Sequence, residues 1–78
     1  MRLTARKETA LRAMRRGPLD FTPDVGWTSR AGYAGCWNTH SITFLAWLGL
    51  CALDRDRTTA TITYQGKQWI EGQDRWAA

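Results

Sequence analysis

The apolar positions follow helical spacing in some stretches of the chain and alternate in others, and each stretch predicts an element. Leu3, Lys7, Ala10, Leu11 and Met14 fall on one helical stripe, interrupted only by a lysine whose stem can lie on apolar surface while its head reaches water. Thr4 is a suitable cap for the free amides of the first turn, and Gly17-Pro18 is a stop, so the spacing predicts a helix over Ala5–Arg16. Leu19-Asp20-Phe21 is a link able to form a short extra strand. Thr22-Pro23-Asp24 then reads as a second helix start, with Thr22 as cap, Pro23 preset for the first helical position and Asp24 near the positive end. Gly26 and the hydroxyls of Thr28 and Ser29 limit that helix to about two turns, anchored by Phe21, Val25 and Trp27.

Gly32-Tyr33-Ala34-Gly35-Cys36-Trp37 reads as a loop, beyond which Asn38 or Thr39 caps a third helix running to Leu48 and stopped by Gly49. Ile42, Leu45, Leu48 and Phe44 make its inward side; Thr39, His40, Ser41, Thr43, Ala46 and Trp47 face out. Leu50-Cys51-Ala52-Leu53 is a short apolar strand and Asp54-Arg55-Asp56-Arg57 a charged turn. Thr58 to Tyr64 alternates, with Ala60, Ile62 and Tyr64 on one face and Thr59, Thr61 and Thr63 on the other. The two strands pair as an antiparallel hairpin with the third helix beneath it. A last helix over Lys67–Arg75 follows Gly66 and presents Trp69, Ile70 and Gln73 or Trp76 at helical spacing.

Composition narrows the class. A chain of 78 residues, 44% hydrophobic, holds one domain with an economical core. No apolar run approaches the ~20 residues needed to cross a bilayer, and the charged N-terminus lacks the apolar segment of a secretion signal. A cytoplasmic location is therefore expected. Two cysteines, Cys36 and Cys51, are too few for a disulfide framework and read as small apolar thiols. The net charge is +4, and six of the eleven basic residues (Arg2, Arg6, Lys7, Arg12, Arg15, Arg16) lie in the first sixteen positions. Both a solvated helix face and phosphate contact account for Arg12, Arg15 and Arg16.

Leu45-Ala-Trp-Leu-Gly-Leu-Cys-Ala-Leu-Asp-Arg, followed by Thr61-Ile-Thr-Tyr-Gln-Gly-Lys-Gln-Trp-Ile-Glu71, resembles the end of the recognition helix, the wing and the start of the final helix in winged helix-turn-helix regulators. Leu45-Ala46-Trp47-Leu48-Gly49-Leu50 is a shortened form of their Leu-x-x-Leu-x-x-Gly-Leu pattern, and Ile62-Thr63-Tyr64-Gln65-Gly66-Lys67-Gln68-Trp69 matches their Leu-Thr-x-x-Gly-x-x-hydrophobic pattern. The likeness covers about the last half of the chain; Leu3–Pro18 also resembles their first helix, whereas Asp20–Trp37 fits loosely. The fold implied is mostly α with a small antiparallel β-hairpin, an α+β winged helix over residues 1–78 with a three-helix core, a wing and a C-terminal helix.

The resemblance implies a small regulator of transcription that binds double-stranded DNA. Thr39, His40, Ser41 and Thr43 would enter the major groove and Arg55 and Arg57 would flank it from the wing. Arg30 and Tyr33, close to Trp37 in the glycine-rich segment, are further candidate contacts. The third helix carries no Arg or Lys, so arginine readout of guanine is missing from it. The rival reading is a winged-helix interaction module that forms a homodimer or captures a protein through Trp47 or Trp76. No enzymatic activity, metal or cofactor is expected: Cys36 and His40 alone do not make a zinc site, Asp20 and Asp24 are explained by a turn and a cap, and no phosphate loop or nucleophile elbow is present.

Overall fold

The structure, a computed structural model, describes residues 2–77 and, of these, the side chains of residues 2–75. The order is α1 (Ala5–Arg16), β1 (Leu19–Thr22), β2 (Gly26–Ser29), β3 (Cys36–Trp37), α2 (Thr39–Trp47), β4 (Cys51–Leu53), β5 (Thr59–Ile62) and α3 (Tyr64–Ala77). The strands form one antiparallel sheet in the order β3-β2-β1-β5-β4. Among the described residues the chain is thus an α+β fold of three helices and five strands, where the sequence predicted four helices and a hairpin.

The expected second helix is the source of the difference. Leu19–Thr22 pairs with Gly26–Ser29 in register Leu19↔Ser29 to Thr22↔Gly26, so β1 occupies the place where a short extra strand was expected and β2 replaces the helix. Pro23 stands in the connecting turn, where its fixed φ serves as well as at a helix start, and the turn is closed by Val25 N donating to Thr22 O at 3.0 Å. Gly26 has φ 102°, and a Cβ there would lie 2.8 Å from the Trp37 carbonyl oxygen, so glycine is required where β2 begins beside the end of β3. Pairing also buries Trp27, which a short helix with a glycine beside it would leave on one side of the core. In the sheet its ring packs against Phe21 with centroids 5.4 Å apart and lies opposite Trp37 in the register.

Cross-strand partners share a face, and the register divides the sheet cleanly. Leu19, Trp27, Trp37, Cys51 and Ala60 are buried on the inner face, with Phe21, Leu53 and Ile62 partly buried beside them. Asp20, Thr28, Cys36, Ala52, Thr59 and Thr61 occupy the outer face. Cys36 is accordingly exposed, against the expectation of a small apolar residue, whereas Cys51 is buried with its thiol directed at the Ile42 carbonyl. The helices cover the inner face and supply Leu11, Met14, Ile42, Leu45 and Ile70 to the core, each fully enclosed.

The helix ends are set by the residues expected at two of three sites. Thr4 Oγ1 accepts from Lys7 N, and the half-buried Lys7 carries its ammonium 4.8 Å above the Phe44 ring, joining α1 to α2. Asn38 Oδ1 accepts from Ser41 N at 2.8 Å, and Gly49, at φ 80°, turns the chain out of α2. The last helix begins earlier than predicted. Thr63, expected on the outer face of a strand, instead caps α3: its hydroxyl accepts from Gly66 N at 3.1 Å and donates to Gly49 O at 2.6 Å. Gly66 is therefore in the first turn of α3 and buried, rather than ahead of it, and Tyr64 is 74% exposed instead of ending a strand. Trp69 is partly buried and Ile70 fully so; Trp76 lies outside the described side chains. Among the described residues no helix is long and apolar enough to cross a membrane.

Candidate functional site

The exposed side of α2 is a narrow stripe because the buried side takes Ser41, Ile42 and Leu45. Thr39, Thr43 and Trp47, spaced four apart, run along the exposed side with His40 beside them, and Trp47 is 79% exposed. Ser41, expected to face outward, is instead buried: the cap that draws its amide to Asn38 turns its side chain into the helix layer.

At the N-terminal end of this stripe, Thr39 and Thr43 meet the β4–β5 hairpin. Together with Phe21, Trp27, Leu53 and Arg57 they line a cleft of about 150 Å³. Trp27 closes its floor and donates its indole N–H to Thr39 Oγ1 at 3.2 Å, which fixes that hydroxyl. Arg57 reaches the cleft from the β4–β5 turn with φ 58°, the one non-glycine positive φ among the described residues, a conformation that costs an arginine of order 1 kcal/mol.

The turn holds Arg57 there through Asp54. The Asp54 carboxylate accepts from Thr58 N at 2.7 Å, from Thr59 N at 3.1 Å and from Thr58 Oγ1 at 3.1 Å, while Arg57 N donates to Asp54 O at 3.1 Å. The backbone bonds from Thr59 and Thr58 hold the Asp54 carboxyl below the usual carboxylate range. Arg55 is exposed in the same turn. The structure thus brings Thr39, Thr43 and Arg57 together, with His40 and Arg55 exposed on the same two elements.

Arg30 and Tyr33 belong elsewhere. Arg30 forms a two-pronged pair with Asp20, Nε to Oδ2 at 2.9 Å and a terminal nitrogen to Oδ1 at 2.7 Å, on the outer face of the sheet. Its hydrogen bond depresses the Asp20 carboxyl below its ordinary range, and Thr59 Oγ1 adds a longer bond of 3.4 Å. Tyr33 stands under the Arg16 guanidinium, 5.9 Å from the ring centroid, at the end of α1. The sequence reading missed Phe21, Trp27 and Leu53 as cleft residues. Their signal was the alternation of Leu19–Thr22 and the β-forming Trp27-Thr28, which a strand assignment would have used. No protein family, curated protein or solved structure matches the chain.

Proposed function

We propose that the protein binds double-stranded DNA in a regulatory role, as a winged-helix variant whose reading element is the exposed side of α2 and whose wing is β4–β5. The observation that carries this reading is the convergence of Thr39, Thr43 and Arg57, from two elements, on one cleft. Short hydroxyl side chains at the N-terminal end of an exposed helix bring donors and acceptors close to base edges, and the helix dipole there attracts phosphate. Arg57 and Arg55 contribute backbone charge that α2 lacks, and Lys7 adds a cation above Phe44. Between α1 and α2 stand β1, β2 and β3, with no helix to serve as the first of a helix-turn-helix pair, so the reading rests on the α2 and wing chemistry.

The test is binding of a fluorescent duplex by anisotropy at two salt concentrations. Between about 50 mM and 200 mM salt the affinity falls steeply, and Arg57→Ala reduces the slope of log affinity against log salt by about one. Absence of binding to any duplex at about 50 mM salt refutes the reading.

One observation favours a second reading, that of a protein-interaction module. Trp47, 79% exposed, is a large aromatic left in water on the same side of α2. On that reading Trp47→Ala abolishes self-association or partner capture while duplex binding is absent in the parent chain.

A further inference from the structure

A second cleft, of about 390 Å³, lies between the C-terminal half of α1, α3 and the segment leading into β3, and it shares no residue with the α2–wing cleft. Ala13, Trp37 and Ile70 form its apolar part, and Arg12, Arg15 and Arg16 its charged part. The charges are unequally matched. Arg12 is held from both sides, by Glu8 at 3.1 Å and Asp74 at 2.8 Å. Arg15 has only the far oxygen of Asp74, at 3.9 Å, and Arg16 has no carboxylate partner among the described residues. Arg16 instead rests over Tyr33, a residue 48% exposed that lies between this cleft and a neighbouring hollow lined by Ala31 and Gly32.

Each feature restricts the ligand. Two under-compensated guanidiniums on adjacent residues suit a doubly charged oxyanion, and phosphate matches the planar fork of arginine. A bare phosphate would leave the apolar and aromatic half of the cleft empty, whereas about 390 Å³ lies in the size range of sites for small organic ligands. An exposed tyrosine ring beside the arginines offers a stacking surface for a planar base. We propose that this cleft binds a nucleoside monophosphate, its phosphate between Arg15 and Arg16 and its base against Tyr33. Asp74 then acts as an internal competitor, occupying Arg15 when the ligand is absent and yielding it, at its long 3.9 Å contact, to the arriving phosphate.

The experiment is a titration of the full chain with adenosine monophosphate, followed by amide and indole NMR shifts, with inorganic phosphate and adenosine as separate arms. The expected shifts gather on residues 12–16 and 31–35 and on the Trp37 indole, whose N–H donates to Thr9 Oγ1 at 3.3 Å. The nucleotide binds more tightly than either fragment, Arg16→Gln weakens it about tenfold, and Asp74→Asn tightens it about two- to fivefold. The last result separates a competitor from a structural ion pair, whose loss would weaken binding or leave it unchanged. A dispersed spectrum identical outside the cleft shows that each variant is folded. The assignment is overturned if inorganic phosphate binds as tightly as the nucleotide, if Asp74→Asn does not tighten binding, or if the shifts track Arg55 and Arg57 instead. It is also overturned if only duplex DNA shifts the cleft residues, which would make them part of a nucleic-acid surface.

Discussion

Replacing either glycine of α3 by alanine gives opposite outcomes, and the difference can be worked from the packing. In an exposed helical position Gly→Ala stabilises by up to about 1 kcal/mol, because alanine loses less backbone entropy. Gly72 fits that case, since a Cβ there meets nothing within 4 Å among the described residues. Gly66 does not. Its Cβ would lie 2.8 Å from Ile62 Cγ1 and 3.1 Å from the Leu50 carbonyl carbon, and nearer still to that carbonyl's oxygen. Ile62 Cγ1 can give way by a rotamer change, but Leu50 O is held as the acceptor of Thr63 N at 3.1 Å. Retreat of the oxygen loses that bond, about 1 kcal/mol, and overpacking adds about 1–3 kcal/mol.

After the helix-propensity gain is set against these costs, Gly66→Ala destabilises by about 1–3 kcal/mol. Gly72→Ala stabilises by up to about 1 kcal/mol. In a domain of this size each kcal/mol moves Tm by roughly 4–8 °C, so the two variants separate clearly in thermal unfolding and in urea midpoints read by far-UV circular dichroism. If Gly66→Ala proves as stable as Gly72→Ala, the first turn of α3 is not seated on the Leu50 carbonyl and the reasoning fails.

Two further outcomes follow from the titratable groups. Burial pushes the Cys51 thiol up to about 11, while Cys36 is exposed on the outer face of β3; an aromatic disulfide reagent at pH 8 (about three units below that value) should therefore modify one thiol rapidly and the second only when urea unfolds the chain. Equal fast reaction of both would show that the β4–α2 contact opens readily. Asp20, Asp54 and Asp74 are all held below their ordinary value of 3.8, by Arg30, by the Thr59 and Thr58 amides, and by Arg12 respectively. A carboxyl depressed in the folded state stabilises it above the unfolded value and ceases to do so as pH falls through the folded value, so the urea midpoint should be flat near neutrality and drop below about pH 4. Asp20→Asn should shrink that drop; a pH-independent midpoint would contradict the pairs.

The elements that could be read from the sequence were those with chemically specific ends. Thr4 and Gly17-Pro18, and Asn38 and Gly49, bracket α1 and α2 closely, because a capping hydroxyl or amide, a glycine followed by proline, and a glycine at positive φ such as Gly49 each have few other uses. Thr22-Pro23 was ambiguous in principle, since proline's fixed φ fits the first helical residue and a β-turn equally, and only pairing with residues outside the window decides between them. Thr63 shows the same limit: its place in an alternating run suggested a strand, and its hydroxyl was claimed by α3. For the candidate site, the exposed hydroxyls of α2 could be found by spacing, whereas Arg57 was pointed to only by the resemblance. Arg30 was drawn away by a carboxylate ten residues upstream, which no local pattern reveals.

The central position of β1 has a consequence for how the molecule is made. Its two edges are satisfied by β2, a few residues away, and by β5, where Asp20 lies opposite Thr59. Until β5 has been synthesised, one side of β1 remains an open template able to pair with any extended strand it meets. The native partner that silences it comes only after β2, β3, α2 and β4, so a chain cut short after α2 is a fragment whose first hairpin can form but whose exposed edge invites association with its own kind. Completion of the β4–β5 hairpin is therefore also the step that closes this inner edge and leaves only the short strands β3 and β4 at the margins of the sheet.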